Sequence, residues 1–168
     1  QMLRLGECDV AIAGGVSESI RTFGIFAGFA SQGALAKHED PTKASRPFDL
    51  HRDAGVLSEG AGIMVLENME RAEARGARIY FEIASYGKQR DKDNSRPASG
   101  LEESMRVALG NAGWSPHEVD YISAYGPGDP VLDAAEIEMV KNVFGPRAKS
   151  IPVNSIKGAT GNALAASG

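Results

Sequence analysis

Apolar residues fall into short runs closed by glycine, and the period of each run predicts its conformation. Residues 8–13 (CDVAIA) are β-branched and apolar and end at Gly14-Gly15, which predicts a buried strand closed by a turn. The preceding residues 1–5 have the pattern of a helix tail. Residues 17–27 have helical character, whereas 29–55 have no period and hold Pro41, Pro47 and mixed charges. An irregular stretch of that length in a compact domain usually covers a functional feature. From Gly60 the pattern sharpens to a strand over 61–67, a helix over 69–75 stopped by Gly76, and a strand over 78–86 in which Ile79, Phe81 and Ile83 alternate.

Residues 91–100 are polar with Pro97 and predict a loop. Leu101, Met105, Ala108 and Leu109 then recur at helical spacing, giving a helix over 101–112 that stops at Gly113. Ser115-Pro116-His117-Glu118 has the form of a capping box with proline at the first helical position. A buried strand over 119–124, a turn at 126–130, a helix over 132–144 and a short strand over 151–154 complete the pattern. Strands alternating with helices argue for an α/β sheet with helices packed on it, without an internal short-period repeat. Gln1 enters mid-helix and residues 163–168 stop inside a small-residue helix start, so the chain is expected to be a segment of a longer protein.

Composition narrows the function. At 168 residues and 42% hydrophobic content the chain can bury a core and is about one domain long. The net charge of -4 comes from 22 acidic and 18 basic residues mixed along the chain, without the basic stripe that nucleic acid requires. The apolar run at 61–66 is too short to span a bilayer, and the first residues lack the order of a signal peptide, so a soluble, cytoplasmic protein is expected. The single cysteine, Cys8, excludes an internal disulfide, and one cysteine with three scattered histidines gives no metal-site spacing. His38, His51 and His117 fall in predicted loops or at a helix start, where a lone histidine is a solvated surface residue. Neither Gly60-Ala61-Gly62 nor Gly126-Pro127-Gly128 has the spacing of a phosphate-binding loop.

Four segments in order carry a family resemblance. They are Asp9-Val10-Ala11-Ile12-Ala13-Gly14-Gly15; Ser45-Arg46-Pro47-Phe48-Asp49 with Arg52-Asp53 and Glu59-Gly60-Ala61-Gly62; Val119-Asp120-Tyr121-Ile122-Ser123-Ala124-Tyr125-Gly126 with Asp133 and Glu136; and Val153-Asn154-Ser155-Ile156-Lys157 with Gly161-Asn162 and the terminal Gly168. Together they resemble the β-ketoacyl-[acyl carrier protein] synthases of the thiolase-like superfamily. The resemblance implies a thiolase-like α/β fold, layered αβαβα. Residues 1–88 would be the end of the N-terminal half with its linking strand, and 89–168 the start of the C-terminal half.

In that family an acyl group is taken onto a cysteine, and a malonyl thioester is decarboxylated to attack it. The resemblance puts the nucleophile upstream of Gln1, and Cys8 matches no reactive position. Tyr125 and Asn162 stand where the two catalytic histidines belong, while Lys157 and Glu136 match a buried ammonium and its paired carboxylate. Asn162 keeps an amide donor, but a phenol with a pKa of about 10 cannot exchange protons as imidazole does. Packing competes with donation as the role of Tyr125, structural retention is the stronger reading of Lys157 and Glu136, and Asn162 is open between the two. Pro127, Gly128 and Asp129 replace the family's hydroxyl run and add an anion that would repel negative charge.

The resemblance therefore implies a non-elongating partner subunit akin to a chain-length factor. The alternative is an active or decarboxylating synthase whose oxyanion donors are Tyr125 and Asn162. Either implies an acyl carrier protein as partner, with phosphopantetheine arriving on it and no cofactor or metal held by the chain itself. Either also implies a homodimer, or a heterodimer with an active ketosynthase, with residues 9–15 near the strand that such dimers share.

Overall fold

The computed structural model describes residues 1–91 and 97–167. Strand β1 (Val10–Glu18) pairs antiparallel with β2 (Glu59–Glu67) along its whole length, from Val10 opposite Glu67 to Glu18 opposite Glu59. The turn expected at Gly14-Gly15 does not form. Both glycines lie inside the ladder, where a Cβ on Gly14 would overlap the Gly62 carbonyl and one on Gly15 the Ala165 carbonyl. Their missing side chains serve close backbone approach rather than a reversal. The helix expected over 17–27 accordingly forms later, as α1 (Phe23–Ser31).

Helix α2 (Met69–Ala74) starts at Asn68, whose side chain accepts from the Glu70 N–H at 3.0 Å. The strand expected over 78–86 does not form among the described residues, because a strand is completed only by a neighbour for its N–H and C=O groups and none pairs with it. Its alternating Ile79, Phe81 and Ile83 are exposed. The segment is tied down instead by Ser85 Oγ, which donates to the Ala108 carbonyl at 2.6 Å.

Part of the loop expected over 91–100 lies outside the described residues, as does Gly168. Asp91 bounds it, accepting from the Gly100 N–H at 2.6 Å and the Ala98 N–H at 3.1 Å, which opens α3 (Ser99–Ala112). The expected capping box is present: Glu118 Oε2 accepts from the Ser115 N–H at 2.7 Å and organises a 3-10 turn over Pro116–Glu118.

Strands β3 (Ile122–Ser123) and β4 (Val153–Asn154) form a parallel pair, shorter than the runs that predict them, each with one neighbour among the described residues. Between them α4 (Pro130–Phe144) packs against α3, and α5 (Lys157–Thr160) follows β4. The core sits at this junction: Val140, Val143, Phe144 and Ile151 are buried, with Met105, Leu109, Val119 and Ile122 packed on them.

The accessible surface is 11272 Å², against about 7,900 Å² for a compact monomer of this mass. Much of the excess is apolar: Ile12, Val16, Ile63 and Val65 project from β1 and β2 into the open. No helix among the described residues is long and apolar enough to cross a membrane.

Candidate functional site

Helix α4 organises the site. Pro130 at its first position fixes φ for helix entry, and Asp129 caps it, with Oδ1 accepting from the Val131 and Leu132 N–H groups at 2.8 Å each. One turn on, Asp133 and Glu136 share a buried face at i, i+3 spacing. Both reach back to the chain that precedes the helix. Glu136 accepts from the Tyr125 N–H with one carboxylate oxygen and from the Gly126 N–H with the other, each at 2.8 Å. Asp133 accepts from the Gly128 N–H at 3.0 Å and the Phe48 N–H at 2.8 Å, and Arg52 Nε forms an ion pair with it at 3.3 Å.

These carboxylates hold residues 125–128 in a turn that only glycine satisfies. Gly126 has φ 37°, and a Cβ there would stand 2.7 Å from the Ser155 Cβ and 2.8 Å from the Phe48 ring. Phe48 itself adopts φ 62°, a left-handed conformation costing an L-residue about 1–2 kcal/mol, and its N–H bond to Asp133 holds it there. Ser155 Oγ, just past β4, closes the turn by donating to the Gly126 carbonyl at 2.8 Å.

The Tyr125 side chain leaves this turn beside Asn162 and Lys157. Asn162 is fixed by its own backbone, which donates to the Val56 carbonyl at 2.7 Å and accepts from the Ser58 N–H at 3.0 Å. Its side-chain Oδ1 accepts from the Leu164 N–H at 3.1 Å, so Nδ2 faces Tyr125 and donates to the phenolic oxygen at 3.3 Å. Lys157 is 2% exposed, with its Nζ 4.9 Å from the Tyr125 ring centroid and donating to the Ser167 carbonyl at 3.3 Å. Burial lowers the Lys157 pKa below its ordinary value, and the nearby Glu136 carboxylate partly offsets that.

All four residues singled out from the sequence thus gather at one place, but not as the pattern suggests. Glu136 does not bridge to Lys157: both its oxygens are committed to backbone N–H groups, and the ammonium is instead served by the Tyr125 ring and the Ser167 carbonyl. Sequence reasoning assigned no role to Asp133, Ser155 or Phe48. The i, i+3 pairing of Asp133 with Glu136 on an otherwise apolar helix face was the available signal. His38, His51 and His117 are exposed, and Cys8 lies in the approach to β1.

Tyr125 and Asn162 open onto a cavity of about 50 Å³, walled by Phe29, Val56, Leu57 and Leu132 and reached also by Asp129. Asn162 donates to the phenolic oxygen, so the phenol keeps its own proton for an acceptor placed there. The arrangement can hydrogen-bond a carbonyl oxygen at the edge of a small apolar space.

A family model for the C-terminal domain of beta-ketoacyl synthase matches residues 80–168, and the N-terminal-domain model matches residues 1–72. The chain is 41% identical over 172 residues to the 3-oxoacyl-[acyl-carrier-protein] synthase 2 of Staphylococcus aureus, a match that covers 100% of this chain and 42% of that protein. Among solved structures, a type II PKS acyl-carrier protein in complex with its ketosynthase bound to the hexaketide matches at TM-score 0.93 and 36% identity, covering 99% of this chain and 42% of that one. The ishigamide ketosynthase/chain length factor matches at TM-score 0.85 and 36% identity, covering 99% and 40% respectively. The chain therefore spans about two fifths of the length of these relatives. These superpositions identify the α/β architecture as part of the thiolase-like fold. Because the C-terminal-domain model alone matches more than half of it, this chain belongs to the β-ketoacyl synthase family.

Proposed function

We propose that the intact protein is a ketosynthase-like subunit of fatty-acid or polyketide assembly that does not itself elongate. It works beside an active ketosynthase, as a chain-length factor does, on acyl groups delivered by an acyl carrier protein. The observation that carries this reading is the contact between Tyr125 and Asn162, a phenol and an amide at the two positions the family resemblance gives to imidazoles.

Decarboxylation of a malonyl thioester develops charge on the thioester oxygen, and losing one preorganised donor to such an oxygen costs about 10²–10³-fold in rate. An amide replaces a donor but transfers no proton, and neither does a phenol near neutrality. Lys157 and Glu136 then act through the fold. Glu136 pins the Tyr125–Gly126 backbone, and Lys157 fills the space beneath the Tyr125 ring. The uncovered apolar residues of β1 and β2 support a segment that packs within a larger, dimeric assembly. We place the division between the two ketosynthase halves at residues 88 and 89, within the irregular stretch that follows α2.

A second reading, an elongating or decarboxylating 3-oxoacyl synthase, is favoured by the free phenolic proton, which can serve a thioester oxygen directly. Reconstitution separates the two. The intact protein is incubated with malonyl-loaded and acyl-loaded carrier protein, alone and with a ketosynthase partner, and the carrier-bound products are weighed by mass spectrometry. Altered product length only in the presence of the partner supports the first reading; decarboxylation or elongation by the protein alone sinks it.

A further inference from the structure

We propose that Asp129 is a charge filter, so that the cavity beside Tyr125 and Asn162 admits short uncharged acyl thioesters and rejects malonyl-type anionic ones. The inference rests on the reading of this cavity as an acyl-thioester site and names its substrate class.

Three observations carry it. First, Asp129 lines the cavity together with Tyr125 and Asn162, and among the described lining residues it is the sole charged one. No cation among the described lining residues compensates it. Lys157 lies against the Tyr125 ring and the Ser167 carbonyl, and Arg52 is committed to Asp133 and to the carbonyls of Asp49 and Pro130. Second, the carboxylate cannot swing away at little cost. Its Oδ1 accepts from two backbone N–H groups at 2.8 Å each, bonds that cap α4 and that a rotated side chain would lose. Third, those N–H groups are the donors at the N-terminus of α4, the feature on this wall that would otherwise favour an anion, and Asp129 already occupies them.

A malonyl group entering the cavity would bring a second carboxylate beside a fixed one in a space of about 50 Å³ with apolar walls. Like charges so placed disfavour one another. An acetoacetyl group has the same number of non-hydrogen atoms and no charge, so the Asp129 carboxylate does not repel it.

The test compares that isosteric pair. Binding of malonyl and acetoacetyl N-acetylcysteamine thioesters to the intact protein is measured by ligand-observed NMR for the natural sequence, Asp129→Asn and Asp129→Ser. Asparagine and serine both retain the helix cap, so folding is preserved while the charge is removed. The natural protein is expected to prefer the acetoacetyl ester by about tenfold or more. Both variants should erase that preference by tightening malonyl binding, with acetoacetyl binding within about twofold. Equal binding of the two esters by the natural protein, or a preference unchanged in both variants, overturns the charge filter and leaves the acyl-thioester reading standing. Binding of neither ester overturns both.

Discussion

Replacing Glu136 by glutamine changes one atom of a carboxylate whose two oxygens each accept a backbone N–H at 2.8 Å. Glutamine keeps one acceptor and turns an amide NH₂ toward the second N–H, so either Tyr125 or Gly126 loses its partner. The Gly126 bond is buried, which places the cost at about 1–3 kcal/mol for an unsatisfied donor. Loss of the charge-assisted character of the surviving bond adds further, giving about 2–4 kcal/mol for the local structure. Lys157 simultaneously loses the carboxylate that offsets its burial. The assay is amide hydrogen exchange of the intact protein, read by mass spectrometry on peptides covering residues 120–130. If those amides exchange through local opening, Glu136→Gln should accelerate them by about 30-fold to 1,000-fold, with peptides from α2 unchanged. Unchanged protection at Tyr125 and Gly126 would refute the argument that Glu136 serves the turn.

Other perturbations test the remaining contacts. Gly126→Ala forces a Cβ into the Ser155 and Phe48 side chains at φ 37° and should lower stability by about 2–4 kcal/mol, seen as an earlier urea midpoint. Lys157 has a folded-state pKa below its ordinary 10.5, so the folded state sheds this proton before the unfolded state does. Its burial penalty is then fully present below the lowered pKa and fades as pH rises toward 10.5, so stability from this group increases with pH across that window. Lys157→Met should therefore show its largest gain relative to the natural protein near pH 7 and a smaller one near pH 10, in denaturant titrations at about those two pH values. Arg52→Ala leaves Asp133 buried without its cation and should cost about 3–5 kcal/mol, whereas Arg52→Ala with Asp133→Asn should cost less than the sum of the two.

The sequence made the helices and the chemistry easier to read than the strands. Helix α4 is announced by Asp129-Pro130 and by the apolar face that ends at Phe144, and the capping box at Ser115 and Glu118 forms as its residues predict. Gly14-Gly15 misled because glycine serves a turn and a close backbone approach equally well, and only the positions of Gly62 and Ala165 decide between them. The alternation at Ile79, Phe81 and Ile83 reads as a strand, yet a ladder depends on neighbours that a local pattern does not contain. At the site, Tyr125, Lys157, Asn162 and Glu136 were identified by resemblance, and they do converge. Their partners were not legible. A carboxylate near a lysine suggests an ion pair, but Glu136 satisfies buried backbone donors instead, and which acceptor meets which donor is settled by the turn at Gly126.

On the proposed reading, Tyr125 and Asn162 leave a site that handles acyl groups without elongating them. The most direct measurement incubates the intact protein alone with malonyl-loaded carrier protein and an acyl-loaded carrier protein, and follows carrier-bound products by mass spectrometry. Both carrier species should persist at the rate seen without protein, while adding an active ketosynthase yields products of altered length. A carrier-bound β-ketoacyl product formed by the protein alone would contradict it, and would assign Tyr125 and Asn162 the role of working oxyanion donors.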